Sequence, residues 1–307
     1  MQDLTKLTNQ ELEEFFNSFD IILSDIDGVL RNVLQPISGS VNAVKFLQKM
    51  GKRFVLVTNN TSKSIETTYQ ELKVAGFEIE KSEIVSPIAP IVAYLQKQNL
   101  VNKKVFVIGM GVLKQAIKDA GFILAPYGPD RIKDSREEFC SLANEDDGTV
   151  EAVICDVDLN LNYLNLQKAE TFLKRPEVIF IGGAPDVKFP VGTGGRILLG
   201  PGIFLRILEG MSKRTSIHMS KPSPFLNDYI MEKYGIKDRS RALFIGDVIP
   251  VDMAFAGNCG YKKLLVLSGL ESKSSLENWG YEEKWKPEFY VNSLKEMHEM
   301  ALRVFGK

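Results

Sequence analysis

Asp25 and Asp27 stand two positions apart at the end of a short apolar run, Ile21-Ile22-Leu23-Ser24, and Gly28 follows directly. In a continuing strand, acids at i and i+2 share a face. A glycine at the next position lets the chain leave the strand and bring both carboxylates into one pocket. Such a pair can split a displacement at phosphorus into two steps. Asp25 is the expected nucleophile, forming an aspartyl-phosphate. Asp27 is the expected general acid/base, protonating the leaving oxygen and then taking a proton from the attacking water. Neither role requires histidine, and the chain has only two, His218 and His298.

Other strand ends carry matching chemistry. Phe54-Val55-Leu56-Val57 runs into Thr58-Asn59-Asn60, and Leu243-Phe244-Ile245 runs into Gly246-Asp247, with Asp252 close behind. Ser220-Lys221-Pro222 precedes a helical stretch from about Phe225. Each of these motifs alone is a common turn. Their order is informative, because open parallel sheets bind ligands beyond the C-terminal ends of their strands. Clustered carboxylates repel one another unless a cation neutralises them. An oxygen-only set suits a hard divalent ion, and Mg²⁺ is the expected cofactor. The Thr58 hydroxyl, the amides around Asn59 and the Lys221 ammonium are the expected donors to phosphate oxygens.

The elements that must position these residues alternate. Ser40 is expected to cap a helix with Val41, Val44, Phe46, Leu47 and Met50 on its apolar side, stopped by Gly51. A second helix is expected over about 64–75, closed by Gly76. Strand–helix alternation predicts an α/β fold with a parallel sheet and right-handed crossovers. Further strands are expected at Val105–Ile108, Ala152–Ile154, Val178–Ile181 and Leu264–Leu267, and a helix at Leu164–Leu173. Punctuation near Pro87 and Pro90, and again over Gly192–Gly202, predicts a second α/β domain over 88–203. It would be inserted into a core made of 1–87 and 204–307.

Composition bounds the alternatives. The 307 residues are 44% hydrophobic and 25% charged, which fits a globular chain of about two domains. Net charge is −1, so no basic excess points to nucleic acid or to an anionic membrane surface. The three cysteines, Cys140, Cys155 and Cys259, are far apart and are expected to be buried, reduced thiols. The polar, acidic start Met1–Phe16 is unlike a leader peptide, and a cytoplasmic location is expected.

At these residues the sequence resembles the haloacid dehalogenase (HAD) superfamily. The match runs through Asp25-Ile26-Asp27-Gly28-Val29, Val57-Thr58-Asn59-Asn60, Lys221-Pro222 and Gly246-Asp247 with Asp252. It is closest to the p-nitrophenyl phosphatase branch, which includes phosphoglycolate and pyridoxal phosphate phosphatases. Supporting segments are Thr58–Lys63, Asp158 with Tyr163, Asp186 ahead of Pro190, Gly200-Pro201-Gly202 and Leu265–Gly269. The resemblance implies a Rossmann-like core with an inserted α/β cap, and Mg²⁺-dependent hydrolysis of a small phosphate monoester. It implies Asp25 as nucleophile and metal ligand, Asp27 as acid/base whose main-chain carbonyl meets the metal, and Asp247 as metal ligand. Asp252 would support that loop. Thr58, Asn59, Asn60, Lys221 and Asp186 would meet the substrate, and a homodimer through the cap is implied. The chain departs from the branch pattern at Arg31, Asp156, Gly183–Pro185, Ser220 and the loop Val248–Val251.

Four features are read as structural. Gly109-Met110-Gly111 lacks a third glycine, since position 114 is Lys, so a turn is expected rather than a dinucleotide site. Gly192–Arg196 is read as the return from cap to core, and His218 as a hinge-side residue. The acidic loop Asn144–Gly148 is read as solvated. Two rival functions follow: a binding module with weakened turnover, motivated by the altered loop, and a nicotinamide-type oxidoreductase. The glycine-poor turn Asp25–Gly28 disfavours the second.

Overall fold

The computed structural model describes residues 1–32, 34–129, 131–190 and 197–306. The chain divides into two compact units, one of 1–58, 65–85 and 221–307, the other of 59–64 and 86–220.

The first unit is built on a seven-stranded sheet. Its spatial order is Gln2–Asp3, Phe289–Val291, Lys262–Val266, Ala242–Gly246, Ile21–Ser24, Arg53–Val57, Ile84–Val85. Every pairing is parallel. The central strands read as unbroken apolar runs because both faces of the sheet are covered. Alternation sorts them. Ile22, Leu56, Leu243 and Ile245 enter one core with Val44, Leu47 and Met297, while Leu23, Val55, Val57 and Phe244 enter the other with Leu226, Ile230 and Phe255. The helices Ser40–Lys49 and Leu294–Phe305 cover the first face, and Pro224–Tyr234 and Ala254–Cys259 cover the second.

The second unit repeats the scheme with five parallel strands in the order Ile217–His218, Ile179–Gly182, Val150–Cys155, Lys104–Ile108, Ile123–Leu124. Phe106, Ile108, Val153 and Cys155 pack on one face, and Val105, Val107, Ala152 and Ile154 on the other.

The α/β architecture and the parallel sheets agree with the sequence reading, and several local expectations need correction. The second unit does not end near 203. The helix Pro201–Ser212 buries Leu205 and Leu208 in its core, and Ile217–His218 pairs with Ile179–Gly182, so the chain leaves it only after Ser220. Ser40 is the first helical residue rather than the cap, because its hydroxyl donates to Leu30 O at 2.8 Å instead of accepting from its own helix. Cys140 is exposed on the helix Arg136–Ala143, while Cys155 and Cys259 are buried, and all three are free thiols. The acidic loop is exposed at Asn144, Glu145, Asp147 and Gly148, as expected, and two of its acids are paired: Asp146 with Arg175 at 2.9 Å and Asp147 with Lys104 at 2.7 Å. Gly109-Met110 forms the turn between Lys104–Ile108 and the helix Gly111–Asp119. Gly192–Arg196 lies outside the described residues.

Candidate active site

Three neighbouring strands of the first unit end on polar residues. Ile21–Ser24 lies between Ala242–Gly246 and Arg53–Val57, and the residues that follow them are Asp25, Asp247 and Thr58. Ladder bonds extend one residue further, with Asp25 N donating to Ile245 O at 2.9 Å and Thr58 N to Val85 O at 3.0 Å. Asp25 and Thr58 are therefore anchored by the backbone at their strand ends.

One carboxyl oxygen from each of Asp25, Asp247 and Asp252 falls within a 4.8 Å group. Lys221, only 1% exposed, reaches this group just ahead of the helix Pro224–Tyr234, whose Leu226 and Ile230 are buried in the core. Its Nζ donates to Asp252 Oδ1 at 2.8 Å and lies 3.0 Å from Asp25 Oδ1. Asp252 Oδ2 accepts the amides of Asp247 at 3.1 Å and Val248 at 3.0 Å. Asp252 sits in a single π-helical turn, Ile249–Met253, which aims it back at the strand end. Its two oxygens are fully engaged, and it holds Lys221 and the Asp247 loop in place.

Asp25 and Asp247 are different. Asp25 Oδ1 takes Lys221 and its own neighbour's amide, Ile26 N, at 2.8 Å, while its Oδ2 accepts no hydrogen bond among the described residues. Asp247 Oδ2 accepts Leu270 N at 3.0 Å, but Oδ1 is buried without a partner. Glycines make this crowding feasible. A Cβ on Gly28, whose φ is +86°, would lie 2.3 Å from Asp247 Oδ2, and one on Gly269 would lie 1.8 Å from the same oxygen. The Ser268 hydroxyl donates to Gly28 O at 2.7 Å and ties the two glycine segments together.

Electrostatics follow from the burial. Three carboxylates against one ammonium would leave a buried negative excess if all were ionised. Burial pushes the Asp25 carboxyl up to about 7, against the pull of Lys221 and with added repulsion from Asp252. Burial likewise raises Asp247 well above the carboxylate range, helped by repulsion from Asp252 and Asp25. For Lys221, burial alone would lower the ammonium's pKa. Asp25 and Asp252 outweigh that and raise it, so the lysine stays charged. An orphaned buried oxygen, a second open oxygen and two carboxyls driven to hold protons form a donor set that a hard divalent cation fits.

The remaining expected site residues have the following partners. The Asp27 side chain is not in the carboxylate group. It is 45% exposed, and its Oδ1 accepts from Arg31 Nε at 3.1 Å. Asn59, Asn60 and Asp186 belong to the second unit. There Asn59 Nδ2 donates to Asp186 Oδ2 at 3.3 Å. Asn60 is exposed, and its Oδ1 accepts Ser62 N at 2.9 Å and the Ser62 hydroxyl at 2.6 Å, closing a local turn. In the same unit Asp158 gathers Tyr127 OH at 2.7 Å, Lys114 Nζ at 3.0 Å and Gly109 N at 3.3 Å. Tyr163 is exposed and stacked on Phe139 at 4.8 Å. His218 Nε2 lies 3.3 Å from Ser216 Oγ. Sequence reasoning missed the Arg31 contact, the Leu270 amide and the Ser268 tie. Of these, only Ser268-Gly269, already quoted as a supporting segment, carried a local signal.

Comparison with known proteins bears on this geometry. Residues 22–123 match the model of the haloacid dehalogenase-like hydrolases, and residues 218–297 match a second, HAD-hydrolase-like model. Over 296 residues the chain is 33% identical to the chloroplastic phosphoglycolate phosphatase 1A of Arabidopsis thaliana, covering 94% of this chain and 80% of that protein. It is 27% identical over 305 residues to the glycerol-3-phosphate phosphatase of Rattus norvegicus, covering 95% and 94% of the two chains. The p-nitrophenyl phosphatase from Archaeoglobus fulgidus superposes with a TM-score of 0.76 at 26% identity, over 92% of this chain and 99% of that one. The first matched segment carries the strand ends of Asp25 and Thr58 and the second that of Asp247, and the likeness runs nearly end to end: the chain belongs to the haloacid dehalogenase-like hydrolases.

Proposed function

We propose that this chain is a Mg²⁺-dependent phosphatase of small phosphate monoesters that works through a phospho-aspartyl intermediate on Asp25. The enzyme class follows from family membership: it is a phosphoric monoester hydrolase. The observation that carries the mechanism is the buried set Asp25, Asp247, Asp252 and Lys221, with Asp247 Oδ1 unpartnered and Asp25 Oδ2 open.

Asp25, Asp247 and the main-chain carbonyl of Asp27 are the groups that would hold Mg²⁺. Bound there, the ion supplies the positive charge that lets both carboxyls ionise together and neutralises phosphate oxygens. Lys221 fixes Asp25 through Oδ1 and leaves Oδ2 to attack phosphorus. As that bond forms, the ester oxygen departs with a proton from Asp27. The resulting Asp27 carboxylate takes a proton from water as the water oxygen bonds to phosphorus. The bond between phosphorus and Asp25 breaks, and inorganic phosphate leaves. Thr58 supplies a hydroxyl to the phosphate, and Asn59, Asn60 and Asp186 are proposed as further substrate contacts.

The relatives' names support phosphoglycolate, glycerol 3-phosphate and p-nitrophenyl phosphate as the first esters to try. The loop Val248–Val251 gives no support to a module with weakened turnover. Asp252 N donates to Val248 O at 2.7 Å, and both amides on Asp252 Oδ2 are in place. The test is phosphate release by purified protein from these three esters. Release with Mg²⁺ is expected, with loss in chelator and in Asp25→Asn. A folded wild-type protein that releases phosphate from none of a broad ester panel would sink the proposal.

A further inference from the structure

We infer that Arg31 is a positioning residue that fixes the Asp27 carboxylate for proton transfer, and that Glu71 fixes Arg31. The inference rests on the phosphatase reading above. Arg31 is 3% exposed, and a guanidinium buried to that degree must be paired. Its Nε donates to Asp27 Oδ1 at 3.1 Å and its Nη1 to Glu71 Oε2 at 2.8 Å.

The backbone is shaped to make this contact. Leu30 N and Arg31 N donate to Ile26 O at 2.8 and 3.2 Å, and Gly28 N donates to Arg31 O at 2.8 Å. The loop from Ile26 to Arg31 thus folds back on itself and returns the Arg31 side chain to Asp27. Ile26, Val29 and Leu30 are buried within the loop, so the turn is anchored rather than free. Glu71 arrives from the helix Ile65–Val74, forty positions away in sequence, and grips the far side of the guanidinium. Asp27, by contrast, is 45% exposed and takes no other hydrogen bond among the described residues. Without Arg31 its carboxylate would sample several rotamers. With Oδ1 held, Oδ2 is the oxygen left to carry the transferred proton.

A positioning role has a kinetic signature that a structural role lacks. An alkyl phosphate must expel an alkoxide and needs a well-placed acid, whereas p-nitrophenolate departs without one. The constant kcat/KM covers the steps through departure of the leaving group. In Arg31→Met, kcat/KM for glycerol 3-phosphate is expected to fall about tenfold or more, while that for p-nitrophenyl phosphate falls less than about threefold; placed acid–base help is worth ~10²–10⁴-fold in total. Arg31→Lys should recover part of the loss, since a single ammonium can hold one oxygen but not span both acids. Should Arg31→Met fail to fold, Glu71→Gln carries the test, because it retains the guanidinium and releases its anchor. The same selectivity between esters is expected there, with a smaller drop. Equal losses on both esters in folded variants overturn the inference and leave the phosphatase reading intact. If glycerol 3-phosphate is not turned over, the alkyl ester of the panel that the wild type hydrolyses fastest takes its place; a wild-type protein inactive across the whole panel overturns the reading and the inference with it.

Discussion

Lys221 is a fully buried cation that pairs with two acids, Asp25 and Asp252, and it decides how the site behaves without metal. Removing one partner of a buried ionic group is costly because the others lose their compensation. Lys221→Met is therefore expected to destabilise the protein by about 3–5 kcal/mol at pH 7. The cost should shrink toward pH 5, where protonated Asp25 and Asp247 need no counter-charge. Urea unfolding at the two pH values checks this, and a loss independent of pH would count against it. At this scale the sequence was a good guide wherever a residue ends an apolar strand: Asp25, Thr58 and Asp247 are all where their runs place them. It was a poor guide wherever a partner comes from afar. Arg31 and Glu71 are paired by tertiary packing, with no local pattern to announce it. Ser40 has the composition of a cap, yet its hydroxyl is taken by Leu30 O.

Among the elements, two strand ends of the second unit show how a departure from the family pattern is accommodated. Asp156 follows Val150–Cys155, and Gly183 follows Ile179–Gly182. A Cβ on Gly183 would lie 2.2 Å from Asp156 Cγ, so the acid requires a bare neighbour. Asp156 Oδ1 accepts Val157 N at 2.7 Å, while Oδ2 is buried without a partner. Burial pushes its carboxyl up to about 6 against the pull of the nearby Thr61 hydroxyl and the Val157 and Ala184 amides. With a folded value above the unfolded one, the stability linked to this group is present below about pH 4 and is lost as pH rises through about 6. The loss is on the order of 3 kcal/mol for a shift of that size. Asp156→Asn removes the titration, so its stability relative to wild type should improve from pH 5 to pH 8. Urea midpoints across that range read the difference, and parallel curves would contradict it. Periodicity located these strands well, because buried parallel strands are continuous apolar runs. It could not show that positions 156 and 183 face each other, since that depends on strand register.

For the whole molecule, the two-unit organisation was legible in outline and misplaced at one boundary. Glycine and proline punctuation is densest over Gly192–Gly202, and the chain does not change units there. The pairing of Ile217–His218 with Ile179–Gly182 keeps the chain in the second unit up to Ser220. Among the described residues no helix is long and apolar enough to cross a membrane. The electrostatics of the first unit give a global readout. Asp25 has a folded value near 7 against 3.8 for the free group, and Asp247 is raised as well. Metal-free protein should therefore lose stability as pH rises through that window. A bound divalent ion replaces the protons and stabilises by mass action, about 2.7 kcal/mol at a hundredfold excess over Kd. Mg²⁺ is expected to raise Tm more at pH 8 than at pH 5. No shift at either pH, or a larger one at pH 5, would argue against ion binding at these carboxyls.

The central claim is that Asp25 becomes covalently phosphorylated during turnover, and acid-quenched mass spectrometry tests it most directly. Wild-type protein mixed with Mg²⁺ and p-nitrophenyl phosphate, then quenched and digested, should carry one phosphoryl group on the peptide containing Asp25. Asp25→Asn should carry none and should release no phosphate. Sustained phosphate release by Asp25→Asn, or a phosphoryl group found only on another residue, would contradict the account.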